Sequence, residues 1–86
     1  MAGLIRQLEV NELPALTGDA VDFLRWLDGP ACIRVPGLDS SRSRVVVTLL
    51  HGNEPSGLLA IYHWLQSAAV PVCDIYCAIV NVEAAL

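Results

Sequence analysis

An α/β fold with a mixed sheet, organised around a strand–helix–strand crossover, is the architecture this sequence predicts. Three observations predict it. The run "RVVVTLL", residues 44–50, is β-branched and apolar on both faces, as a strand covered on both sides should be. Residues 55–68 place Leu58, Ile61, Tyr62 and Leu65 on one helical stripe. A second apolar run, "DIYCAIVNV", follows at residues 74–82. Two strands joined by a helix should lie parallel, with the crossover right-handed.

The other elements are read from their punctuation. "TGDAVDFLRWLDG", residues 17–29, offers Thr17 or Asp19 as an N-cap, Val21, Phe23, Leu24 and Leu27 as an apolar face, and Gly29-Pro30 as a stop. That is a short amphipathic helix, with Asp19, Asp22 and Asp28 as solvated charges around it. "ACIRVPG" reads as a strand ended by Pro36 and Gly37, and "LDSSRSR" as a polar loop of turn formers. Through that loop the strand at 31–35 is expected to pair antiparallel with the strand at 44–50. His63 and Gln66 fall on the solvent side of the second helix, Trp26 and Trp64 read as packing residues, and Pro71 closes the helical pattern. "LIRQLEV" fits a strand or a short helix equally well.

Composition bounds the function. The chain has 86 residues, enough for one domain that buries roughly 60–65% of its unfolded surface. Hydrophobic residues make up 55% and the mean hydropathy is +0.53, high for a small chain, so a partner is expected, either more chain or another subunit. Self-association through exposed apolar surface follows. His51, Asn53, Glu54 and Gln66 interrupt the apolar stretches, so none reaches the ~18–20 residues of a membrane span. The N-terminal stretch lacks a signal-peptide pattern, and a soluble, cytoplasmic protein is expected. A net charge of −4 without a basic cluster argues against nucleic acid as a partner. Of the three cysteines, Cys73 and Cys77 lie on one strand about 13 Å apart, too far for a disulfide or a shared metal.

One stretch carries chemistry. In "LLHGNEPSGLLAIYHWL", residues 49–65, His51 ends the apolar strand and Glu54 opens the helix. Open α/β sheets bind ligands at this carboxyl edge. Gly52 and Gly57 allow a tight turn and a close backbone approach, and Pro55 suits the first helical turn. Two histidines and one glutamate form an established catalytic zinc set, and this turn supplies one of each kind. The spacing alone leaves a second reading open, because a glutamate at a helix N-terminus is also stabilised by the helix dipole.

"HGNEPSG" after "RVVVTLL" resembles the first zinc motif of the succinylglutamate desuccinylase and aspartoacylase family, relatives of the metallocarboxypeptidases. The later "IVNVEAAL" resembles that family's Asn-Pro-x-Ala strand end: Asn81 and Ala84 match, and Val82 stands where proline is usual. The resemblance runs from about Ala31 onward. It implies a metallocarboxypeptidase-like (phosphorylase/hydrolase-like) three-layer fold, one zinc ion held by His51 and Glu54, and hydrolysis of the amide bond of an N-acyl amino acid. In the family a histidine well beyond the first motif completes the metal site, arginines after the Asn-Pro segment bind substrate carboxylates, and a glutamate further on is the general base. None of these has a counterpart here, and Arg6, Arg25, Arg34, Arg42 and Arg44 match none of those positions. Residues 1–86 are therefore expected to form the N-terminal segment of a zinc hydrolase domain, truncated before the rest of the active site and inactive alone, with no catalytic residue to assign. The competing expectation is a small non-catalytic module that dimerises or binds a partner.

Overall fold

The first helix begins where the sequence supplies a reciprocal cap. In the computed structural model, which describes residues 5–49 and 56–80, the Asp19 carboxylate accepts from the Asp22 N–H at 2.9 Å. The Asp22 carboxylate accepts in turn from the Asp19 N–H at 3.4 Å. Helix α1 then runs Ala20–Leu27 and ends as Asp28 takes the left-handed conformation, φ 51°, followed by Gly29 at φ 138°. The three aspartates are thus end-groups of the helix rather than merely solvated charges. The buried stripe is Ala20, Phe23, Leu24 and Leu27. Val21 is exposed, because the residue after Ala20 is rotated by a hundred degrees from the face that Ala20, Leu24 and Leu27 share.

Four strands form one mixed sheet: β1 (Arg6–Glu9), β2 (Ala31–Val35), β3 (Asp39–Leu49) and β4 (Cys73–Val80), in the order β1-β2-β4-β3. Of the stretch at residues 4–10 that reads as strand or short helix, Arg6–Glu9 is a strand, and a single 3-10 turn follows it at Val10–Glu12. Helix α2 (Ser56–Gln66) joins β3 to β4, and these strands are parallel, as a crossover requires. β2 runs antiparallel to β4 and parallel to β1.

The sheet corrects three expectations. β2 and β3 are not neighbours; β4 lies between them, which gives its apolar residues two strand partners and puts Cys77 and Ile79 in the core. The polar stretch is not a free loop, since β3 begins at Asp39. Leu38 and Asp39 donate to the Pro71 and Val72 carbonyls at 3.0 and 2.8 Å, and where β4 advances from Cys73 to Asp74, β3 advances from Asp39 to Ser43. The turn formers are accommodated as a bulge within the strand. Finally, residues 44–49 belong to an edge strand, with Val45, Val46 and Val47 exposed by 65%, 43% and 56%. Helix α2 approaches one side of this strand, beside Val46 and Thr48, and no described element covers the side that carries Val45 and Val47.

The core lies on one face of the sheet. Leu8, Ala31, Ile33, Val35, Cys77 and Ile79 alternate along three strands and form one cluster with the buried stripes of both helices. On α2 these are Leu58, Ile61, Tyr62 and Leu65, as the spacing predicts, while His63 and Gln66 are exposed. Tyr62 stacks near Phe23, with ring centroids 5.3 Å apart, and donates to the Gly18 carbonyl. Trp26 and Trp64 pack against the same cluster. The other face carries Cys32, Tyr76, Ala78, Val45 and Val47 without a helix over it among the described residues. The described residues therefore make two layers, not the three the resemblance implies.

Candidate metal centre

The motif joins two described ends. β3 finishes at Leu49 and α2 starts at Ser56; His51, Gly52, Asn53, Glu54 and Pro55 lie between them, outside the described residues, as do Asn81, Val82 and Ala84 after β4. The parallel register ends with Leu49 beside Val80, so the described ends of the two strands that precede the motif segments lie side by side at one edge. The first turn of α2 lies close on β3: a Cβ at Gly57 would come within 3.3 Å of the Thr48 methyl, and Thr48 is buried. Glycine there permits the close backbone approach the sequence suggested.

The described donors do not extend the pair. His63 is exposed about 10 Å along the helix axis from its start, with Nδ1 3.2 Å from Gln66 Oε1. Cys32, Cys73 and Cys77 are free thiols. Burial, with Cys32 nearby, pushes the Cys77 thiol up to about 11, and burial also raises Cys32, which disfavours the thiolate that a metal needs. No group of three or more His, Cys, Asp or Glu side chains converges among the described residues. His51 and Glu54 suit zinc in kind, one imidazole and one carboxylate, but two donors are one short of a catalytic set.

A polar cluster that the sequence reading missed lies at the opposite end of β4. Asp74 is buried on an otherwise apolar strand. Its carboxylate accepts from the Gly37 N–H at 2.8 Å, from Ser40 Oγ at 3.1 Å and from Arg34 Nη2 at 3.0 Å, and Arg34 Nη1 reaches Glu9 Oε1 at 2.7 Å. The Gly37 amide, helped by Arg34 and Ser40 and opposed by burial, holds the Asp74 carboxyl below the usual carboxylate range. Glu9 first, then Asp74, hold the Arg34 guanidinium more firmly protonated. A Cβ on Gly37 would collide with the Cys73 backbone, so the turn after β2 is pressed against β4. The cluster ties all four strands together, and its carboxylate is occupied by donors from the chain itself. The one signal for it in the sequence was a lone aspartate in "VCDIYCAIV", a buried charge that requires partners.

No described helix is long and apolar enough to cross a membrane. No family model matches the chain, and no curated protein or solved structure matches it either.

Proposed function

We propose that this chain carries the first ligand pair, His51 and Glu54, of a zinc-dependent hydrolase that cleaves the amide bond of an N-acyl amino acid. One observation carries the reading: the strands that precede the two segments resembling the family's motifs are adjacent and parallel, and their described ends, Leu49 and Val80, pair at the carboxyl edge, where α/β folds bind ligands. The close seat of α2 on Thr48 supports it, since a helix start held against the strand end fixes the span that the intervening residues must bridge.

When bound, zinc polarises a scissile carbonyl and lowers the pKa of its water. The chain's own part is to present a neutral imidazole from His51 and a carboxylate from Glu54, the latter favoured by the positive end of the α2 dipole. Neither a third donor nor a general base is assigned to this chain, so it holds the ion weakly and does not turn over substrate by itself. The uncovered sheet face with Val45 and Val47 agrees with a domain that has a further layer.

Zinc calorimetry on the 86-residue chain tests the ligand assignment. Weak binding that disappears in both His51→Ala and Glu54→Ala is expected, with no hydrolysis of N-acetylaspartate or succinylglutamate. Binding indifferent to both substitutions would remove the ligand assignment. Hydrolysis by the purified chain, abolished by Glu54→Ala, would show that the site is complete here.

The exposed β3 edge favours a second reading, a non-catalytic module that binds a partner. Such a module keeps its partner after His51→Ala, whereas a catalytic segment joined to the remainder of its site loses activity.

A further inference from the structure

The two edges of the sheet are built differently. β1 is four residues long, with exposed Arg6 and Gln7, which is how soluble proteins discourage pairing at an edge. β3 is eleven residues long, pairs with β4 alone, and exposes three consecutive valines. Its outer backbone N–H and C=O groups have no strand partner among the described residues. Because consecutive residues point to opposite faces, an occupant of this edge must itself be apolar on both faces. On the helix-covered side, Val46 borders an apolar groove of about 390 Å³ with Ala60, Ile61 and Trp64.

We propose that the occupant is β3 of a second copy, paired antiparallel about a two-fold axis at Val46. The charges exclude the registers on the arginine side. Of the neighbouring centres that remain, Val46 is the one that faces Arg44 with a polar residue, Thr48, rather than with an aliphatic one. An in-register parallel pair would set Arg42 and Arg44 against their own copies, and an antiparallel pair centred at residue 42, 43 or 44 would set arginine against arginine. Centred on Val46, Arg44 faces Thr48, Val45 faces Val47, and Val46 faces itself. β-branched residues then meet directly across the strands, and no like charges do. Pairing β3 with the β1 edge of another copy would oppose valines with Arg6 and Gln7, and would build an open chain rather than a closed dimer. The two-fold arrangement makes one eight-stranded sheet whose helix-covered faces are continuous, so the Val46 side chains meet where the two grooves adjoin. This interface is that of the 86-residue chain by itself and uses neither zinc ligand, so His51→Ala leaves it intact.

The test is sedimentation equilibrium of the 86-residue chain. Twice the 9.3 kDa chain mass is expected. Val46→Lys should weaken association at least about tenfold, while Leu38→Lys, at an exposed position beyond the strand, should leave it unchanged. Should Val46→Lys fail to fold, disulfide formation reads the register instead. Val46→Cys should cross-link to itself under mild oxidation, because facing Cα atoms lie about 4.5–5.5 Å apart, within disulfide reach. Arg44→Cys should cross-link only when mixed with Thr48→Cys. A chain that is monomeric at every concentration, or a dimer indifferent to Val46→Lys in which Val46→Cys does not cross-link, overturns the proposal.

Discussion

The β1 and β3 sides of the sheet differ in how completely their groups are matched. On the β1 side, the Arg6 guanidinium lies 5.0 Å over the Trp26 ring and donates to the Leu27 carbonyl at 3.0 Å, Glu9 is paired with Arg34, and Leu27 and Ile33 are fully buried. On the β3 side, a longer and more apolar strand leaves its valines exposed. The strongest strand signal in the chain therefore lies at the less covered edge. High β-propensity marks a strand, whereas burial is decided by what packs against it.

The largest effect should come from breaking the matched side. Leu27→Ala should cost about 2–5 kcal/mol, because it empties a fully buried position between α1 and the sheet. Val47→Thr on the exposed edge should stay within about 0.5 kcal/mol. Urea unfolding of both variants measures the contrast; equal losses would mean that β3 is as well packed as β2.

Asp74 sharpens the comparison through pH. Its folded pKa is depressed, so the stability it contributes is fully present above the unfolded carboxylate value, about 4, and is lost as pH falls through the folded value. Asp74→Asn should lower the melting temperature by more than Asp19→Ala at neutral pH, and the difference from the unmodified chain should shrink steadily in acid below about pH 4. A gap that is constant across that range would mean that the carboxylate charge is irrelevant to the cluster.

Of the losses expected at Leu27, Asp74 and Asp19, the smallest concerns the start of α1. Asp19→Ala removes the acceptor for the Asp22 amide and should cost about 1 kcal/mol, with Asp19→Ser recovering most of it. Thermal unfolding monitored by circular dichroism checks the order of the three.

Local features were legible in the sequence. An N-cap at Thr17 or Asp19, of which the structure uses Asp19, the stripe of Leu58, Ile61, Tyr62 and Leu65, the strand at 31–35 and the parallel crossover each follow from residues close together in the chain, where propensity and periodicity act. The insertion of β4 between β2 and β3 was not legible, because it depends on partners about forty residues apart, such as Ile33 and Cys77. Nor was the bulge at residues 39–43: serine and arginine are poor strand formers, and here the backbone of Pro71 and Val72 and the carboxylate of Asp74 hold them in place. At the candidate site, spacing left two readings open and the family resemblance suggested the ligand pair; the fold adds the pairing of Leu49 with Val80, the described ends of the strands that precede the two motif segments. His51 and Glu54 themselves lie outside the described residues.

Zinc K-edge X-ray absorption on the zinc-loaded 86-residue chain tests the central claim most directly. Zinc should be surrounded by nitrogen and oxygen only, with one imidazole per zinc, and the imidazole signature should disappear in His51→Ala. Sulfur beside the zinc, or an imidazole signature that survives His51→Ala, would contradict that claim.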